Sequence, residues 1–345
     1  MMSMNRKFKY RRCSMEPFEK LSVPKVYGNT PTFLGVPLAR NKEELKEADA
    51  ALIGGGMLSF GENPWRTDLG LTFYSLGERT IKIIDPALLR KASLKYCGFL
   101  PELGIDVFEH IKLVDYGDIS AISPIIAPED EENAMRRTVE KIREVLGVGC
   151  VPIVIESNPY LVVKAIAEEF GGKVGIITLD AHGDNACPPP YVGWVDLVSR
   201  LENVDMSRFV QIGMRGPRNF KKQLEWYRER GSHVYTYREI REKGMKEVVK
   251  EAIEIAHDGV ESTFLNIDFD VLDMGAAPGL DEPLGIKIED LLMLVFEVGR
   301  SGLTAFNVEW IVKPIAPIFH IVTWTILYLL AGMAVRKTGK EIKFI

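Results

Sequence analysis

The sequence predicts an α/β fold in which a mainly parallel sheet is covered by helices on both faces. From about residue 50, apolar runs of strand length alternate with amphipathic stretches of helix length, the pattern of repeated βα units. Several helical stretches end at a glycine, which relieves the left-handed residue that closes many helices. No Ser/Gly/Pro-rich linker, low-complexity tract or repeat divides the chain. One large domain over residues 49–345 is therefore expected behind an irregular N-terminal extension, residues 1–48.

The expected strands, in order, are Ala48–Gly56, Ile111–Gly117, Cys150–Glu156, Val174–Ala181, Phe209–Gly216, His233–Tyr237, Ser262–Asp270 and Leu303–Trp310. Each is an apolar run of strand length. Between them, Glu131–Gly147, Pro159–Gly171, Met245–Gly259 and Ile288–Gly302 carry apolar residues at three-and-four spacing and read as helices. Ile315–Val335 is about as long as a bilayer span, but Pro314 and Pro317 stand at its entrance and His320, Thr323 and Thr325 inside it. It is expected to be a buried final helix.

With 345 residues, 46% hydrophobic and 26% charged, the chain can bury a large core without disulfides or a structural metal. Its net charge of −5 argues against a nucleic-acid surface, which shows as a basic excess. Arg6, Lys7, Lys9, Arg11 and Arg12 read as a solvated arm, and no apolar core follows them as in a secretory signal. Cys13, Cys97, Cys150 and Cys187 are widely spaced without a CxxC pair, which suits reduced thiols in a cytoplasmic protein. Cys187, close behind Asp184, is expected to be a neutral neighbour. The glycines of Ile53–Leu58 lack dinucleotide-loop spacing and read as a turn.

Two acidic clusters fall where strands should end, the place where open parallel sheets bind ligands. In LDAHGD, Asp180, His182 and Asp184 alternate, so an extended chain aims them to one side. In NIDFD, Asp268 and Asp270 repeat the spacing on another strand. Either cluster alone is as readily a turn or a helix cap. Together they bring four carboxylates and one imidazole to one sheet edge, an arrangement that repels itself unless a cation compensates it. Such ligands suit a hard or borderline divalent ion such as Mn2+, and bridging by Asp180 and Asp268 would admit two ions.

LDAHGD followed by NIDFDVLDMGAAPGLDEP resembles the signature pair of the arginase and agmatinase (ureohydrolase) family, D-A-H-x-D and then D-x-D-x-x-D-P-x-x-x-P-G-x-G-x-P. Val210–Gly216 resembles the family's I-G-I-R-G strand, and Glu309 falls where its E-V-N-P glutamate lies. The likeness spans roughly residues 50–335, with Asp273-Met274 replacing Asp-Pro. It implies a three-layer αβα fold, a manganese centre of two ions or one, and trimers or hexamers of the same chain. The implied activity is cleavage of a small cationic guanidino compound to urea and an amine; the net charge and the buried final helix separately lead us to expect no nucleic-acid or membrane partner. By the same resemblance, Asp180 and Asp268 would bridge the ions, His182 and Asp270 would complete one site, and Asp184 would serve the other. Glu309 would face the guanidinium, as a charge-assisted contact requires.

Two departures set limits on that transfer. The family's G-G-x-H-S histidine has no counterpart in Val154–Pro159, where Asn158 or Glu156 is left to stand in. The histidine expected after D-A-H-x-D is missing from Asn185–Leu201, a loop stiffened by Pro188–Pro190 and carrying Tyr191 and Trp194. His110, His233, His257 and His320 are the remaining proton donors of suitable type. Besides the amidinohydrolase, two alternatives therefore stand: a metal-poor binding or regulatory subunit, and a one-metal hydrolase of an amide or formimino bond.

Overall fold

A computed structural model describes residues 23–55, 73–76, 79–82, 86–119, 128–187, 192–276, 280, 282–311, 316–342 and 344. The basic arm, Cys13, Gly56–Leu58, Pro188–Tyr191 and Pro314 lie outside the described residues. Eight strands form the central sheet: β1 (Ala50–Gly54), β2 (Leu113–Asp118), β3 (Val151–Ile155), β4 (Val174–Leu179), β5 (Val204–Met214), β6 (His233–Thr236), β7 (Ser262–Asp268) and β8 (Ala305–Glu309). Their order is β6-β5-β4-β7-β8-β3-β1-β2, and every adjacent pair is parallel. All eight coincide with apolar runs expected to be strands. Three small antiparallel hairpins, at 25–31, 73–82 and 99–106, are additions to that pattern, being too short to show a period.

Helices cover both faces. They are α1 (Pro86–Ser93), α2 (Pro128–Leu146), α3 (Pro159–Phe170), α4 (Trp194–Val198), α5 (Lys221–Glu229), α6 (Tyr237–Lys243), α7 (Met245–His257), α8 (Ile288–Ser301) and α9 (Ala316–Thr338). Strand alternation sends Leu179, Ile212, Leu265, Ile267, Phe306 and Val308 into a core shared with α7, α8 and α9. Ile176, Phe209, Phe264, Ala305 and Val154 face the opposite way, into a core shared with α2, α3 and α4. Both faces are thus dry, as a parallel sheet requires, and the strands read as nearly unbroken apolar runs.

Residues 23–48 of the extension pack onto this domain. Phe33, Leu34, Val36 and Leu45 are buried in the two cores. The Phe33 amide donates to Asp115 Oδ2 at 2.8 Å, and Asp115 in turn holds the fully buried Arg90 of α1. β5 begins at Val204, five residues earlier than its apolar run, because Val174 pairs with Val204 across a bulge; of residues 204–208 only Met206 is buried.

α9 is long and apolar enough to cross a bilayer by length and composition, but 83% of its most apolar stretch is buried inside the molecule. It packs on α8 through glycines on both helices. A Cβ at Gly332 would lie 2.1 Å from the Phe296 carbonyl oxygen, and one at Gly299 would lie 2.4 Å from that of Leu329. Replacing Gly332 by alanine should relieve about 1 kcal/mol of helix propensity. Overpacking the backbone contact costs about 1–3 kcal/mol, so the contact decides the sign. Equilibrium urea unfolding of Gly332→Ala is expected to show a net loss of stability; a gain would mean that the helices do not touch there.

Candidate active site

The register places acidic residues side by side at the carboxyl ends of the central strands. Leu179 pairs with Ile267, so Asp180 and Asp268 follow together at the tips of β4 and β7. Asp268 pairs with Glu309 on β8, and Val308 pairs with Ile155, which brings Glu156 next in the row. Two residues further back on the same face lie Thr178, Asn266 and Asn307, also in register. These three form a buried ladder. Asn266 Nδ2 donates to Thr178 Oγ1 at 3.2 Å and to Glu309 Oε1 at 2.7 Å. Asn307 Nδ2 donates to Asn266 Oδ1 at 2.8 Å and to the Ser157 carbonyl at 3.1 Å. A polar row between the acids and the apolar core therefore orients Glu309 from below.

Asp180, His182 and Asp270 each offer a ligand atom, all within 4.8 Å of one another. His182 Nδ1 is 2.8 Å from Asp270 Oδ2 and 3.6 Å from Asp180 Oδ1. Its other nitrogen, Nε2, is 3.0 Å from Glu282 Oε1, which Arg218 also meets at 2.9 Å. Burial pushes the Asp180 carboxyl well up, and the charges of Asp184 and Asp270 push it further. Asp268 is raised in the same way, by burial and then by Asp270, Asp180 and Glu309. For Asp270, burial is outweighed by His182, which holds it below the usual range. His182 itself is pushed up to about 11: burial opposes the charge, but Asp270, Glu282 and Asp180 together win. No described lysine or arginine forms an ion pair with Asp180, Asp268 or Asp270; His182 is the paired counter-charge of Asp180 and Asp270, and Arg215 also bears on these two through space.

Neighbouring elements hold the 180–184 turn on its backbone. Gln211 Nε2 donates to the carbonyls of Asp180 and His182, each at 3.0 Å. Asn219 accepts from the Gly183 amide at 3.0 Å and donates to the Ala181 carbonyl at 2.9 Å, while Tyr227 Oη donates to the Gly183 carbonyl at 2.6 Å. Arg215 ties β5 to the loop after β7 through the carbonyls of Asp270, Leu272, Glu282 and Pro283. Asp180 Oδ1 accepts from the His182 amide at 2.6 Å, Asp270 Oδ1 from the Ala181 amide at 3.0 Å, and Asp268 Oδ1 from the Asp270 amide at 2.8 Å. Non-glycine residues with positive φ gather here: Glu156 (60°), Asp184 (48°), Ala186 (45°) and Trp310 (58°). Such strain concentrates where a site over-determines its backbone.

Of the residues expected from the sequence, the structure draws Asp180, His182 and Asp270 into one donor group and sets Asp268 beside it. Asp184 lies close enough to bear on Asp180 electrostatically, at the end of the turn. Glu309 is buried and held by Asn266. Asn158 is the N-cap of α3, its Oδ1 accepting from the Tyr160 amide at 3.0 Å, and so is committed to the helix. Glu156 accepts from the Ile311 amide at 2.5 Å. Trp194 packs in the core against Phe209 and offers no face to a substrate cation. Burial first, and then Asp184, pushes the Cys187 thiol up to about 11, so it stays a neutral neighbour. His257 meets Ser301 and His320 packs against Tyr96, both away from the acidic row. Sequence reasoning misses Glu282 and the ladder. The ladder has a signal: Thr178-x-Asp180, Asn266-x-Asp268 and Asn307-x-Glu309 repeat one polar-x-acid pattern at three strand ends. Glu282 has none.

The donor set of two carboxylates and one imidazole nitrogen suits a borderline divalent cation such as Mn2+. The model of the Arginase family matches residues 82–311. Formimidoylglutamase of Halalkalibacterium halodurans is 27% identical over 229 residues, covering 63% of this chain and 70% of its own. Guanidinobutyrase of Pseudomonas aeruginosa is 25% identical over 265 residues, covering 74% of this chain and 76% of its own. The structure of Trypanosoma cruzi formiminoglutamase with Mn2+ at pH 8.5 superposes with a TM-score of 0.68 at 22% identity, over 86% of this chain and 98% of that one. The last likeness is one of fold: the same three-layer αβα architecture around a parallel sheet.

The raised carboxyls predict a pH dependence. A carboxyl whose folded pKa exceeds its unfolded value stabilises least when ionised, so its contribution is fullest below the ordinary Asp value of about 4 and is lost as pH rises from there through the raised folded value of Asp180 and Asp268. In chelator-treated protein, Asp268→Asn should remove part of that loss and raise the melting temperature at neutral pH by roughly 2–4 °C. The same substitution should weaken Mn2+ uptake, measured by equilibrium dialysis. A lower melting temperature without metal would contradict the repulsion.

Proposed function

This chain belongs to the arginase family, and from that premise we propose that it is a divalent-metal hydrolase of a small amidine-type compound. A guanidino substrate is the first reading, and a formimidoyl substrate the second, favoured by the likeness to formimidoylglutamases and by the missing second histidine. Both contain the same N–C–N unit. Water adds to its carbon and the C–N bond to the amine breaks, the amine leaving with the proton; a guanidine yields urea and a formimidoyl group yields formamide. The observation that carries the proposal is the convergence of Asp180, His182 and Asp270 at adjoining strand tips.

Asp180, His182 and Asp270 would hold the ion, with Asp268 and Asp184 beside them for a second. A bound divalent metal supplies a Lewis acid and a lowered pKa for water. Asp184 would take the proton that the attacking water gives up, a role that otherwise calls for a histidine this chain lacks. Glu309, oriented by Asn266, would receive the amidinium N–H groups, where a carboxylate makes strong charge-assisted bonds. The site has a strong acidic excess, which favours a cationic reacting group.

The test loads purified protein with Mn2+ and offers agmatine, arginine, guanidinobutyrate, guanidinopropionate and an N-formimidoyl amino acid, with urea and formamide measured separately. Product from at least one is expected, and none from any would overturn the proposal. Asp184→Asn should lower kcat by about 10²–10⁴-fold with little change in KM. Glu309→Gln should raise KM as well, because it removes substrate binding along with orientation.

A further inference from the structure

We propose that Glu282 is a positioning residue that selects which nitrogen of His182 faces the metal. The inference rests on the metal reading above and extends it to a residue that the signature motifs leave unspecified, since Glu282 falls at a variable position just before the closing proline, Pro283.

Imidazole carries its nitrogens on opposite sides of the ring, and in the neutral form one is a donor and the other an acceptor. Glu282 Oε1 lies 3.0 Å from Nε2, while Nδ1 looks the other way, toward Asp270 at 2.8 Å. Both carboxylates only accept, so each ring nitrogen carries a proton while Asp270 holds Nδ1; an ion would displace the Nδ1 proton, and Glu282 keeps the one on Nε2. Glu282 is itself fixed. It is 4% exposed, and its carbonyl takes the Met274 amide at 3.0 Å and Arg215 Nη2 at 3.2 Å. Arg218 Nη1 binds Oε1 from the outer side at 2.9 Å and balances its charge. Gly216 leaves the space: a Cβ there would stand 3.1 Å from Glu282 Oε2, and φ at Gly216 is +78°, which side chains rarely adopt. Arg215, Gly216 and Arg218 all belong to the segment that follows β5, so one stretch of chain seats the carboxylate that seats the histidine.

The experiment measures Mn2+ affinity by calorimetry for the full chain, Glu282→Gln, Glu282→Ala and Arg218→Ala, and records imidazole ¹⁵N spectra of the metal-free proteins. Loss of the carboxylate should weaken Mn2+ binding by about 10–100-fold, with Gln intermediate and Arg218→Ala smaller. The His182 Nε2–H signal should lose its slow exchange in both Glu282 variants. Folded variants that bind Mn2+ within twofold of wild type, or that lose only melting temperature, overturn the inference. If Glu282→Ala does not fold, the near-isosteric Gln variant decides the matter by the same two measurements. Wild-type protein that binds Mn2+ but releases neither urea nor formamide would overturn the proposed function and leave this inference standing.

Discussion

Carboxylates on neighbouring strands repel one another, and this sheet sets several of them side by side at its carboxyl edge. Asp180, Asp268 and Glu309 occupy successive tips of β4, β7 and β8, with Asp270 one turn further on, and all four are buried. Little solvent reaches them, so the cost of their ionisation falls on local countercharge. His182 supplies one such charge from within the chain. A divalent ion held by Asp180, His182 and Asp270 would supply two in the same place. That unbalanced charge explains why the turn bearing His182 is held so closely by groups that never reach the reacting centre.

The supporting structure has two parts with different physics. Beneath the acids, Thr178, Asn266 and Asn307 are joined by hydrogen bonds that leave only the Asn307 side-chain carbonyl oxygen of the row without a partner, so the transition from dry core to charged edge takes place across one row of polar side chains. Beside the acids, Gln211, Arg215, Asn219 and Tyr227 bind backbone carbonyls and amides rather than side chains. Backbone restraint fixes where a side chain starts; the ladder and Glu282 fix where it points. The ladder, Gln211 and Tyr227 stand on strands and a helix of the main fold, while Arg215, Asn219 and Glu282 reach in from the loops between them.

Much of this is legible in the sequence. Eight strands can be read because a sheet covered on both faces makes each strand a compact apolar run, and the acidic clusters stand out because Asp180 and Asp268 end such runs. The alternation Asp180, His182, Asp184 is less informative than it looks. β4 ends at Leu179 and the chain then turns, with φ at 48° by Asp184, so strand periodicity does not carry across the three residues. Glu282 is hidden for a different reason: it reaches His182 across 100 residues, from a loop without a period, and only the folded register brings the two together. Asn158 shows the reverse case, a residue whose chemistry fits a ligand but which the start of α3 claims as its cap.

If the strand-tip acids and His182 are one cation site, the metal itself should be visible there. Diffraction from crystals of the Mn2+-loaded protein, recorded at the manganese absorption edge, tests this without reference to any substrate. The predicted map has anomalous density in contact with His182 Nδ1 and the Asp180 and Asp270 carboxylates, and His182 turned from its ion pair into a ligand. A map with no such density, and with His182 Nδ1 still bonded to Asp270, would contradict it.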